Sequence, residues 1–356
     1  MNRQLTKRFG ALICALFFIS SITYSQFENV DFLRAGANDG LKLVEAYVTP
    51  WANAFGAGLN GGWYNTAKPH KLGGFDLTVG FNIGYVPESA TTFDVSKIGL
   101  TTLTGSGIAS TVAGPDVDGP TLTAMSNGLV LASFKTPPGS NWKMMPVPTA
   151  QIGVGLPLGT EFKFRFIPKL TLGNGDVALW GVGLVHSIMQ YLPGDKLLPF
   201  DVSLFGGYTK LMGNVPVNLQ PRTGSPTAYS TYSPATAFKD QMLSADITAL
   251  NIGVIASLNL PVVTFYGGLG YSKTHTGLQL LGNFPLPTIN PSVSTTEAVY
   301  EDAGVLKNFP SMDIENFSGM RANIGLRLKF AVITIHGDYT KAQYNVISAG
   351  FGISFR

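Results

Sequence analysis

The stretch Phe75 to Tyr85 alternates without a break, and this limits the chain's possible folds more than any other feature. Phe75, Leu77, Val79, Phe81, Ile83 and Tyr85 fall on one face; Asp76, Thr78, Gly80, Asn82 and Gly84 fall on the other. A period of two is that of a strand, so this is a ribbon with one oily face and one wet or small-residue face. Its eleven residues match the roughly 9–11 that a tilted strand needs to cross a bilayer. The oily face must meet either a second sheet or lipid.

Composition favours lipid. Only 13% of the residues are charged, while glycine reaches 42 residues and aromatics 11%; soluble domains carry about 25% charge. No run approaches the ~20 apolar residues of a spanning helix, so a membrane would have to be crossed by strands.

The N-terminus suggests export. Arg3, Lys7 and Arg8 precede an apolar run from Phe9 to Ile19, and small residues at Thr23 and Ser25 suit cleavage before Gln26. Residues 1–25 therefore read as a secretory signal peptide. Its removal turns 24 basic against 21 acidic residues into an even balance, so the basic excess does not point to nucleic acid. It also removes Cys14, the only cysteine. Disulfides and cysteine metal sites are then not expected.

From Asp31 to Pro50 a short helix is expected, with Asn38 or Asp39 at its start and Leu41, Val44 and Tyr47 at helical spacing. Residues 26–54 could be a plug inside a barrel, a lid at its mouth or a surface helix. Residues 55–356 read as the barrel. Phe55 to Tyr64 reads as a weak first strand, Phe93 to Leu103 and Leu129 to Phe134 as further ones, with no topology assigned between Val86 and Pro148.

From Thr149 the pattern sharpens. Ala150, Ile152, Val154 and Leu156 form an apolar face, Leu158-Gly159-Thr160 turns the chain, and Phe162, Phe164 and Phe166 continue the face with Lys163 and Arg165 between them. Cations between phenylalanines suit lipid outside and water inside. Further strands follow at Trp180 to Ile188, Phe200 to Tyr208, Ala249 to Leu260, Val262 to Ser272, Met320 to Phe330, Ile333 to Tyr339 and Ile347 to Phe355. The long polar stretches, Lys210 to Gln241 and Thr274 to Glu315, fall at one end and the short turns at the other, as in outer-membrane barrels. The expected fold is all-β: a closed antiparallel transmembrane β-barrel of 12–14 strands with a short N-terminal helical segment.

The segments Gly58-Leu59-Asn60-Gly61-Gly62-Trp63-Tyr64, Gly153-Val154-Gly155-Leu156-Pro157, Phe164-Arg165-Phe166-Ile167-Pro168 and Gly181 to Ser187 resemble an uncharacterised family of predicted outer-membrane β-barrels from Bacteroidetes. In architecture alone, a capped N-terminal segment before a barrel resembles the long-chain fatty-acid transporters, whose barrels are plugged from the N-terminus. The last strand, with Phe351, Ile353 and Phe355, resembles the C-terminal signature handed to the barrel-assembly machinery, leaving Arg356 as overhang.

Lys163, Arg165, Arg321, Arg327 and Lys329 are expected to face the lumen, as are His336 and Asp338. Such a lining could attract anions in a pore. Alternatively the cations pair with inward carboxylates or with a plug carrying Asp31, Asp39 and Glu45. His336 and Asp338 are half of a hydrolytic site, but no serine stands at a defined position. No two histidines have zinc spacing and no phosphate-cradling glycine loop opens a helix. The chain thus reads as a non-enzymatic barrel without cofactor or metal, in contact with outer-membrane lipid. It would be a passive channel or transporter for small or hydrophobic solutes, or else a non-conducting interaction or assembly protein with a filled lumen.

Overall fold

The computed structural model describes residues 33–34, 37–126, 128–172, 175–191, 199–314 and 317–355. The signal peptide, Asp31, the turn at Gly173-Asn174 and the overhang Arg356 lie outside the described residues.

Ten strands form the wall: β1 (Phe75–Tyr85), β2 (Met144–Leu156), β3 (Thr160–Leu172), β4 (Gly175–Ser187), β5 (Phe200–Pro216), β6 (Met242–Asn259), β7 (Val263–Leu281), β8 (Ser318–Phe330), β9 (Ile333–Lys341) and β10 (Val346–Phe355). Each pairs antiparallel with its neighbours in sequence, and β1 pairs with β10 from Phe75↔Phe355 to Gly84↔Val346. The sheet is therefore closed and leaves no edge in the wall, the condition for strands to cross lipid. Outward side chains remain exposed although apolar, among them Leu269 at 66% and Ile324 at 73%. Among the described residues no protein layer covers them, and they form the outward apolar band of an outer-membrane-type barrel.

The count is ten rather than twelve to fourteen. Phe55 to Tyr64 is not a strand: a helix, α1, runs from Ala37–Leu59 and passes straight through Pro50. A proline inside a helix removes one hydrogen bond, and here the flanking Val48, Trp51 and Ala52 are buried and hold the element in place. The boundary at residues 54 and 55 therefore falls within a helix, and the wall begins at Phe75. Phe93 and Leu129 to Phe134 do form strands, but in small sheets of the loop joining β1 to β2, where 92–94 pair with 108–110 and 121–126 pair with 103–104 and 129–135. Alternation marks a strand without saying which sheet it joins.

Three long connections, 86–143, 217–241 and 282–317, gather at one end of the barrel, here the loop end. Three tight turns lie at the other, at 157–159, 260–262 and 331–332. Leu158 and Ala331 adopt φ of 57° and 54° in two of them, the left-handed conformation that tight turns require. The upper half of α1 packs into the loops through a core containing Leu43, Val44, Tyr47, Val48 and Trp51 with Leu122, Phe134, Phe284 and Phe309. Tyr47 donates to the carbonyl of Pro138 at 2.8 Å, and Asn53 Nδ2 to the Tyr344 hydroxyl at 3.0 Å.

The lumen and its resident segment

The lower half of α1 lies inside the barrel, against β1, β2, β6 and β7. A helix ends with carbonyls that have no partner in the helix and with a partial negative charge. Here the wall supplies the cap. Arg165 on β3 donates to the carbonyls of Leu59 at 2.9 Å and Gly61 at 2.7 Å; Arg321 on β8 and Asn251 on β6 donate to the carbonyl of Asn60 at 2.6 and 3.2 Å. In a ring of ten strands, β3 and β8 are five apart, so the two arginines reach the helix end from opposite walls.

Below the helix, residues 60–74 run through the lumen to the turn end. Trp63 is stacked on the Arg165 guanidinium, 3.7 Å from ring centroid to Cζ, and faces Gly183 and Gly207 on β4 and β5. A Cβ at Gly207 would stand 2.8 Å from the Trp63 ring, and one at Gly183 also 2.8 Å. These glycines are the seat of the indole. Tyr64 packs edge-on to Phe205 and Tyr266, at 5.1 and 6.4 Å between centroids, and its hydroxyl donates to Asn323 at 2.8 Å.

Further down, Ala67 is held by its backbone: its N–H donates to Ser257 Oγ at 3.0 Å and its carbonyl accepts from Ser203 Oγ at 2.5 Å. At the floor, His70 bonds Glu161 through both its backbone N–H, at 2.9 Å, and Nδ1, at 2.8 Å; Nε2 meets Ser354 Oγ on β10 at 3.0 Å. Gly155 N–H donates to the Gly74 carbonyl, and Gly73 N–H to that of Gly155. The segment thus bonds to β2, β3, β5, β6, β8, β9 and β10 and runs through the lumen.

Every residue expected to face inward does so. Lys163, Arg165, Arg321, Arg327, His336 and Asp338 are buried, while Lys329 is half-buried and donates to Ser354. They do not form a basic band lining water. Lys163 pairs with Glu161, and with Asp76 at 3.5 Å. Arg165 and Arg321 serve the plug backbone, and Arg327 lies opposite His336 in the β8–β9 ladder. His336 Nδ1 meets Asn65 at 3.4 Å, whereas Asp338 accepts from the Tyr266 hydroxyl at 3.1 Å. His336 and Asp338 thus share a face but meet different partners.

The carboxylate Glu161 and the histidine His70 were not among the expected site residues. Only its long-range contacts with the wall, to Glu161 and Ser354, give His70 a role. His70, Asp76 and Glu161 bring one ring nitrogen and two carboxylates within 4.8 Å of one another. That spacing suits a small cation, and the Lys163 ammonium is paired to both carboxylates.

The described residues form a closed ladder with a buried lumen network and an N-terminal segment inside it, and one family model matches residues 5–355. The chain belongs to DUF6588, a family of unknown function. No curated protein matches this DUF6588 chain. Among solved structures it is similar to the outer membrane protease OmpT from Escherichia coli, at 7% identity and TM-score 0.33, covering 79% of this chain and 97% of that one. It is similar also to the translocator domain of the autotransporter NalP from Neisseria meningitidis, at 11% identity, TM-score 0.29, and 88% and 97% coverage. A third is Ail, the attachment invasion locus protein of Yersinia pestis, in complex with the heparin analogue sucrose octasulfate, at 7% identity, TM-score 0.25, and 80% and 98% coverage. At such scores the barrel assignment for this DUF6588 member rests on its own hydrogen-bond ladder.

Proposed function

We propose that this protein is an exported outer-membrane barrel, closed to solute flow at rest, that works by holding a rigid cap of loops and helix at the cell surface as an interaction platform. The observation that carries the reading is the resident segment: residues 60–74 occupy the lumen from the helix end to the floor, bonded to seven wall strands. Three long connections at one end, against three tight turns and the shorter connection 188–199 at the other, support an orientation with the loops outside. The β1–β10 pairing, closed by Phe75 against Phe355 with ring centroids 5.0 Å apart, supports delivery of the last strand to the barrel-assembly machinery.

The passive channel for small or hydrophobic solutes is the second reading, and it requires the segment to move. What favours it is the polar character of the segment's anchors, since hydrogen bonds to a wall can be exchanged for water. Barrel hydrolysis at His336 and Asp338 would require the same opening.

The test is conductance in planar bilayers together with fractionation of cells. Background conductance over the accessible voltage range, with the protein in the outer membrane and its loops bound by antibody added to intact cells, is the expected outcome. A steady open channel would transfer the assignment to the transport reading.

A further inference from the structure

The outward face of the wall carries a second pattern, unrelated to the lumen. On three strands that rise toward the loop end, a tyrosine is followed two residues later by a lysine: Tyr208 and Lys210 on β5, Tyr271 and Lys273 on β7, Tyr339 and Lys341 on β9. Residues two apart on a strand share a face, so each lysine stands directly above its tyrosine on the lipid side. Lys210 and Lys273 lie ten residues beyond the first residue of their strands and Lys341 eight. At a rise of about 3.3 Å and a tilt of about 40°, this is roughly 20–25 Å up the wall, the upper border of an apolar band about 25 Å tall. The tyrosines occupy the interfacial belt, where amphipathic rings settle, and the lysines the headgroup level.

The arrangement is one-sided. Toward the turn end the outward residues include Phe75, Leu156, His186, Phe200, Leu258, Phe330, Ile333 and Phe355, and among the described residues no strand carries an outward lysine or arginine there. Cations that merely reached for water would serve either border equally. At the loop border the lysines also differ among themselves. Lys210 is 3.6 Å from Asp246 and, on β3, Lys169 is 3.2 Å from Asp176. Lys273 and Lys341 have no ion-pair partner among the described residues. The strand between them, β8, offers Ser318, Met320 and Ala322 outward, without a carboxylate. Asp313, opposite Gly277 and four residues along β7 from Lys273, lies 3.6 Å from His275.

We propose that Lys273 and Lys341, above Tyr271 and Tyr339, form a docking site for a phosphorylated glycolipid headgroup of the outer leaflet. This rests on the outer-membrane reading above. From the ladder, Lys273 aligns with Ser318 and Lys341 with Ala322, placing the two backbones on the order of 16 Å apart across β8. Between them the outward face of β8 presents Met320 with the small Ser318 and Ala322, a span that a sugar headgroup with a phosphate at each end could bridge. An ammonium is a compact point charge that suits phosphate oxygens, and the tyrosine rings beneath suit the junction of sugar and acyl chain.

Binding is measured by native mass spectrometry of the folded full-length protein in mild detergent, with a bisphosphorylated lipid A as probe and its dephosphorylated form as comparison. Wild type is expected to retain the bisphosphorylated lipid preferentially, K273Q/K341Q to lose about tenfold or more of that retention, and K210Q to behave as wild type. Inorganic phosphate at the same concentration is expected not to compete. Equal retention of the two lipids, undiminished retention by K273Q/K341Q, or competition by inorganic phosphate would each overturn the proposal. Heat-modifiable migration on gels reports that the variant barrels are folded. Fractionation that placed the protein in another membrane would remove the location without altering binding in detergent, so the two failures are distinct.

Discussion

Arg165 stacks its guanidinium on the ring of Trp63, 3.7 Å from the centroid, while donating to the Leu59 and Gly61 carbonyls on either side of the helix end. One wall residue thus closes α1 and fixes the first aromatic of the segment below it. Its third bond, from Nε to Gln151 at 3.0 Å, links it to the neighbouring strand, and Gln151 in turn donates to the Trp63 carbonyl at 3.2 Å. The plug is therefore anchored at the point where helical hydrogen bonding stops.

Replacing Arg165 by methionine keeps much of the volume and removes the charged donor from both carbonyls in a buried site, leaving Leu59 only the long bond from Thr209 Oγ1 at 3.5 Å. A buried bond to a charged donor is worth about 1.5–3 kcal/mol and a desolvated cation–π contact about 2. Hydrogen–deuterium exchange over residues 55–66 should accelerate in R165M while exchange in β1 and β10 stays slow. Unchanged exchange would mean that the arginine is not the cap.

Gly207 and Gly206 are adjacent but face opposite ways. A Cβ at Gly206 meets nothing nearer than Ile252 Cγ2 at 3.9 Å, whereas one at Gly207 enters the Trp63 ring and lies 2.7 Å from Phe205. Gly207→Val is expected to push Trp63 from its seat, shifting its fluorescence and lowering the yield of heat-modifiable barrel. Gly206→Ala should leave both unchanged, and equal effects of the two would contradict the seat.

Asp39 tests the cap at the loop end. Burial raises its carboxyl pKa, but the backbone N–H groups of Leu103, Thr102 and Thr101 and the Thr102 hydroxyl outweigh that and hold it well below the usual range. A depressed folded pKa contributes stability that is present above the unfolded value of about 3.9 and is lost as pH falls through the folded value. Protease resistance of the loop around residues 99–104 should therefore hold through mildly acid pH and fail only in strong acid, while D39N should be cleaved faster at neutral pH. Loss of resistance near pH 6 in the wild type would not fit.

Arg34 fixes the direction in which the chain threads the barrel. It donates to the Tyr300 hydroxyl and the Gln220 carbonyl, both at 2.8 Å and both in loop-end connections. The chain thus enters α1 from the loop end. An epitope placed directly before Leu33 should be reached by antibody on intact cells, and labelling only after permeabilisation would reverse the orientation.

The wall from Thr149 onward was legible because lipid demands apolar residues at every second position, and Phe162 to Phe166 or Phe351 to Phe355 satisfy it plainly. The lumen-facing set was legible by the same parity. The segment that fills the barrel was not. Phe55 to Tyr64 alternates by accident of its glycines, yet contains no Val, Ile or Thr, and its Ala and Gly continue the helix beyond Pro50. Absence of β-branched residues was the available signal. The bonds of His70 with Glu161 and Ser354 span 91 and 284 residues, and periodicity carries no information at that separation.

The lodging of residues 60–74 in the lumen is tested most directly at Ala67, whose carbonyl accepts from Ser203 Oγ at 2.5 Å. In a C14S background, A67C/S203C should close an internal disulfide as the barrel folds under oxidising conditions, seen as altered mobility on non-reducing gels, and A67C/K169C should not. A folded A67C/S203C barrel that fails to cross-link, while the thiol introduced by A67C alone reacts freely with a bulky external maleimide, would contradict a resident segment and with it the closed lumen.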